Sequence, residues 1–127
     1  MPKNVYPGKK ISWKRTITDR EILLFAELSG DKAIHHVQKD SDGRLVAHGL
    51  FTATLPTKLG GDLDYIARSI QFDFVYPVCS GDTLTCVGIV DAVMKKPGRF
   101  KIKFSFTVTN QHNKLVLKGK SSGMIRD

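Results

Sequence analysis

Long apolar runs are missing from this chain. No stretch approaches the ~18 consecutive apolar residues that a membrane-spanning helix needs. The opening residues, Met1-Pro2-Lys3-Asn4, are basic, and no apolar signal core follows them. The expectation is a cytoplasmic protein with no membrane partner. Cysteine is scarce, with only Cys79 and Cys86. Both fall in strand-like segments with no Cys-x-x-Cys and no His-rich tract. Two buried, reduced thiols are therefore expected, and no metal site. Acid is scarce toward the C-terminal end. Residues 91–127 carry nine Lys or Arg against Asp91 and Asp127, within a chain of net charge +8. Such a surface attracts anions (nucleotide phosphates, an acidic carrier protein, nucleic acid) or is only a solvated sheet face. Nucleic acid is not the expected partner. The aromatics that could stack on bases, Phe104 and Phe106, fall on the predicted core face, and no helix-turn-helix or zinc pattern is present.

What is present suffices for a folded domain. The chain has 127 residues, 41% of them hydrophobic, which suggests one domain over 1–127. Ile11 to Ile17 reads as a first strand with Ile11, Trp13, Arg15 and Ile17 on one face. Thr18 and Glu21 then form a capping box, opening a helix that should run to about Leu28. Ile22, Phe25 and Ala26 give it an apolar stripe, which Leu24 and Leu28 widen. Gly30 is a natural stop. Residues 31–47 are polar and irregular, with a turn at Ser41-Asp42-Gly43. A loop this long inside a small domain is often functional. From His48-Gly49 a second helical pattern runs to Gly60-Gly61. It is apolar nearly all round, which implies burial, and Pro56 should kink it.

From residue 66 the pattern is strand. Ile70, Phe72, Phe74 and Tyr76 alternate with Gln71, Asp73 and Val75 up to Pro77. Thr83 to Val93 is β-rich, with Leu84, Cys86 and Val90 on one face. A turn at Lys96-Pro97-Gly98 leads into strict alternation of Ile102, Phe104, Phe106 and Val108 with Lys101, Lys103, Ser105, Thr107 and Thr109. A last strand covers Leu115 to Ile125. Four strands joined mostly by short turns imply an antiparallel sheet, with the very apolar helix against it.

The candidate chemistry sits in the polar loop. Asp31 and His36 are five residues apart, and His48-Gly49 opens the buried helix. Two titratable groups can hold a water between them and move its protons. An amide at a helix start has no intrahelical acceptor and can polarise a carbonyl. The run Phe25-Ala26-Glu27-Leu28-Ser29-Gly30-Asp31, then His36, then Gly43-Arg44-Leu45-Val46-Ala47-His48-Gly49-Leu50, resembles the MaoC-like (R)-specific enoyl-CoA hydratases. Phe72 to Leu84 is similar to that family's Phe-x-x-Pro-Val-x-x-Gly-Asp-Thr segment. The loop departs from the family's usual Asp-x-Asn-Pro-x-His by placing Ala33 and Ile34 where Asn and Pro stand.

The resemblance implies an α+β hot-dog fold, an antiparallel sheet wrapped around a central helix. It implies hydration of trans-2-enoyl-CoA, or dehydration of a 3-hydroxyacyl-CoA, with Asp31 and His36 binding the water and the Gly49 amide as the carbonyl donor. Ala33, His48, Thr57 and Arg44 fall to the substrate by the same comparison. His48 is expected chiefly to brace the loop by hydrogen bonding, and Arg44 could bind CoA phosphates or only brace it. It further implies at least a homodimer and no cofactor. The alternatives are a non-catalytic acyl-CoA binding module and a hot-dog acyl-CoA thioesterase. Thioesterases of this fold usually carry an acid on the central helix, and residues 49–61 contain none.

Overall fold

The structure is a computed structural model and describes residues 4–127; Met1–Lys3, part of the basic opening stretch, lie outside the described residues. The first element is strand β1 (Lys10–Thr16), one residue earlier at each end than the sequence pattern suggested. Helix α1 (Asp19–Ser29) follows. Its capping box forms as expected: the Glu21 amide donates to Thr18 Oγ1 and the Thr18 amide to Glu21 Oε1. Gly30 ends it in the left-handed conformation, φ 80°, and donates its amide to the Ala26 carbonyl. Ile22 and Ala26 are buried, with Phe25 packed beside them. Leu24 and Leu28 do not widen that stripe. Both face outward, Leu28 with 85% of its surface exposed. They sit beyond the arc of the helix that the sheet side can cover.

Residues 31–47 are less irregular than expected, because a short helix α2 (Ile34–Val37) lies within them. The second helical run divides into α3 (Gly49–Thr52) and α4 (Thr54–Asp62), with a turn at Ala53. The break precedes Pro56 instead of falling on it. In a continuous helix the proline ring would meet the Thr52 carbonyl four residues back. Restarting at Thr54 puts Pro56 in a first turn, where its missing amide has no intrahelical acceptor. Helix α4 then passes through Gly60-Gly61, the expected end, and stops at Asp62, spanned by a 2.6 Å Lys58–Asp62 ion pair. Phe51, Leu55 and Leu59 are buried, but Thr57 and Lys58 are exposed, so burial is confined to one side.

The remaining strands are β2 (Tyr65–Phe74), β3 (Thr83–Lys96), β4 (Arg99–Thr109) and β5 (Leu115–Arg126). With β1 they form one five-stranded sheet, order β1-β3-β4-β5-β2, antiparallel throughout. Leu84, Cys86 and Val90 of β3 and Ile102, Phe104, Phe106 and Val108 of β4 form its buried face. The first cluster of that core meets Phe51, Leu55 and Leu59. Trp13 ties β1 to the helix by donating Nε1–H to the Leu55 carbonyl at 2.8 Å. At Gly119 a Cβ would overlap the Gln71 carbonyl and lie 2.7 Å from the Phe106 ring, so the close approach of β2 to β5 requires glycine. Cys86 is buried in β3, whereas Cys79 is only partly buried and sits on an isolated bridge to Val46. This is the antiparallel α+β hot-dog architecture, wrapped around α3 and α4.

Candidate active site

The site is built by three short-range devices. The Asp31 amide donates to Ser29 Oγ, and the Ala33 amide donates to Asp31 Oδ1 at 3.2 Å. One carboxylate oxygen therefore shapes the turn and the other is left free. Helix α2 starts at Ile34, the first helical position. Proline suits that position because its missing amide would be an orphan there in any case. Ile34 gives up the rigidity of a proline, not a hydrogen bond. The helix carries His36 inward, buried, and leaves His35 outside. Backbone pairing of 45–47 with 78–80 then fixes the approach to His48, through Ala47 to Val78 and Ser80 to Leu45.

The hydrogen bonds set both imidazole tautomers. His36 Nδ1 lies 2.6 Å from the Val46 carbonyl, which can only accept, so Nδ1 carries the proton. Nε2 is then the nitrogen that faces Asp31, 3.6 Å from Oδ2. His48 Nε2 lies 2.8 Å from the backbone carbonyl of Asp31 and is protonated by the same argument. His48 Nδ1 is buried with no partner among the described residues. The His36 and His48 rings stack at 3.7 Å and 18°. His35 packs on His36 at 4.0 Å, and Phe25 on His48 at 4.9 Å.

One ligand atom each from Asp31, His36 and His48 lies within 4.8 Å of the others, a spacing a cation could bridge. The ring planes argue for another use. Imidazole nitrogens bind metals in the plane of the ring. Two nearly parallel stacked rings share no nearby point that lies in both planes. The arrangement suits proton exchange over a water between Nε2 and Oδ2.

Gly49 follows His48 as the first residue of α3 and is exposed; among the described residues its amide has no acceptor. Helix α3 is one turn long, so what it offers is this single donor and little macrodipole. A Cβ at Gly49 would lie 2.8 Å from the Phe74 ring. Four of the residues singled out in the sequence thus come together: Asp31, His36, His48 and Gly49. Ala33 belongs to the same turn through its amide. Arg44 and Thr57 stand apart. Arg44 closes the 40–44 turn through its backbone and is exposed. Its charge lowers the Cys79 thiol, although burial dominates there and pushes that thiol up. Thr57 donates its hydroxyl to the Ala53 carbonyl and lines an apolar cavity of about 170 Å³ with Leu59, Ile70, Phe72 and Phe106.

No family model matches the chain. A curated relative does. The chain is 29% identical over 133 residues to the (R)-specific enoyl-CoA hydratase of Rhodospirillum rubrum, covering 96% of this chain and 89% of that protein. In sequence and in fold the chain resembles the MaoC-like (R)-specific enoyl-CoA hydratases. Solved structures agree on the fold. The unliganded R-hydratase of Pseudomonas aeruginosa superposes with a TM-score of 0.86 at 24% identity, over 97% of this chain and 83% of that one. A MaoC-like dehydratase from Rhodospirillum rubrum gives 0.81 at 18%, over 98% and 94%.

The proteins that this chain resembles are named as hydratases and a dehydratase. The sequence pattern had pointed to the four residues that converge here. It missed the groups that orient them: the Val46 and Asp31 carbonyls and the rings of Phe25 and Phe74. Backbone carbonyls carry no residue signature. The aromatic rings looked like ordinary core.

Proposed function

We propose that the chain catalyses the (R)-specific hydration of trans-2-enoyl-CoA and the reverse dehydration of 3-hydroxyacyl-CoA. The observation that carries this reading is the fixed His36 tautomer, which leaves Nε2 facing Asp31 Oδ2 across 3.6 Å. A water seated there touches both groups. One group takes a proton from the water as its oxygen bonds to C3 of the enoyl chain. That same proton is passed on to C2, so the water adds as OH and H and both groups end in the state in which they began. Negative charge that builds on the thioester oxygen during attack meets the Gly49 amide, which has no acceptor among the described residues. His48 acts by position: its Nε2–H holds the Asp31 backbone in place.

The finer assignments follow the same logic. The Arg44 side chain is exposed and in no ion pair among the described residues, which leaves it for CoA phosphates. Thr57 and its apolar cavity fit the acyl chain better than the reacting atoms. The working unit is at least a homodimer joined at the β2 edge, where Ile66, Ile70 and Phe74 are exposed. Crotonyl-CoA tests the reaction through loss of enoyl-thioester absorbance. Wild type turns it over, and Asp31→Asn lowers kcat by roughly 10²–10⁴. Full turnover by that variant would remove this mechanism. Tight acyl-CoA binding without turnover by the wild type would make the chain a binding module instead, and free CoA release would make it a thioesterase.

A further inference from the structure

Most of the basic residues of the C-terminal third are gathered on one surface. Directly opposed residues of an antiparallel pair share a face. Lys101 lies opposite Met94 and Met124, and Lys103 opposite Ala92 and Ser122. Lys118 lies opposite Thr107 and Asp73, and Lys120 opposite Ser105 and Gln71. The intervening residues of β4, such as Ile102, Phe104 and Phe106, are buried on the α4 side. The four lysines therefore stand on the outer face of the sheet. Lys10 and Lys14 of β1 join them through their pairing with Ile89 and Thr85 of β3. All six are exposed, and among the described residues none forms an ion pair. The carboxylates on this face are Asp73, opposite Lys118, and Asp91, which accepts the Ser105 hydroxyl. A shallow groove of about 400 Å³ between Val87, Ile89, Lys118 and Lys120 crosses the patch.

We propose that this outer face docks onto an anionic phospholipid bilayer. Its shape and its chemistry both favour that partner. The strand order puts β4 in the middle, flanked by β3 and β5. A sheet curled around α4 is convex on its outer side, so a plane meets these middle strands first. They carry Lys101, Lys103, Lys118 and Lys120. With Arg99 and Arg126 paired two residues beyond Lys101 and Met124 on the same face, the charge is spread along the strands and suits a diffuse negative surface. No aromatic side chain stands on this face to stack on bases, and no helix projects from it to enter a groove. Asp31, His36 and Gly49 belong to the helical layer on the other side of the sheet. A carrier protein delivering a thioester must meet that side, so it is not the occupant of this one. The contact is peripheral, because no helix among the described residues is long and apolar enough to cross a membrane.

The test is sedimentation of the intact protein with vesicles of phosphatidylcholine alone, or mixed with phosphatidylserine, across a range of salt. Binding is expected only to the mixed vesicles and falls as salt rises. Each lysine near such a surface contributes about fivefold to the partition. The variant K101Q/K103Q/K118Q/K120Q should therefore lose roughly a hundredfold or more. R20Q/K39Q/K58Q/K114Q removes the same charge from other surfaces and should keep most of the binding. Circular dichroism and crotonyl-CoA turnover report that each variant is folded. Equal losses in the two variants would mean that net charge, and not this face, is at work, which overturns the proposal. So would equal binding to neutral and mixed vesicles, or duplex DNA binding in place of vesicle binding.

Discussion

Strands β2 and β4 carry the same period-two alternation and end in different surroundings. In β4, Phe100, Ile102, Phe104, Phe106 and Val108 are all buried. In β2, Ile70 and Phe74 keep 42% and 54% of their surface exposed, and only Tyr65 and Phe72 are partly covered. β4 is central, with neighbours on both sides and α4 below it. β2 is an edge, paired only to β5. Alternation fixes which side chains share a face. What covers that face is decided elsewhere in the fold, or in another copy of the chain.

Substitutions on the two strands should pull this contrast apart. Phe100→Ala, on the covered side of β4, is expected to cost about 3–5 kcal/mol, read as a lowered denaturant midpoint. Cys86, on the same covered face of β3, gives a smaller effect that depends on pH. Burial pushes its thiol up to about 12 from 9.0. The folded chain keeps this proton where the unfolded chain has released it, so stability falls as pH rises from about 9 toward 12. The loss is on the order of 1 kcal/mol at pH 10. Cys86→Val should flatten that part of the stability profile; an unchanged slope would show that the thiol is not protected. Phe74→Ala on β2 should cost only about 0.5–1 kcal/mol in dilute protein. Its larger effect should appear in sedimentation equilibrium as weaker self-association. Leu28→Ser, on the outward side of α1, should stay within about 0.5 kcal/mol of wild type by thermal melting.

Much of this was legible in the residues, for identifiable reasons. The Thr18–Glu21 box, the Gly30 stop and the β4 alternation are local features, decided within a few residues. The Asp31-to-His36 spacing was legible because one turn and one short helix connect them. Other features were set by distant partners. Leu24 and Leu28 looked like core because their helical spacing is right, but the sheet does not reach their side of α1. Pro56 signalled a kink, and the chain relieved it three residues earlier by restarting the helix. The orientation of His36 depends on the Val46 carbonyl, ten residues away, and no side chain announces a carbonyl.

The Phe74 ring lies against Gly49, yet Phe74 belongs to the open edge of the sheet. Whatever settles on that edge also sets the room above the amide. In the dimer proposed above, assembly and chemistry share a residue, and the proposed turnover per chain should vary with protein concentration as well as with substrate. Dilution becomes a probe of the site.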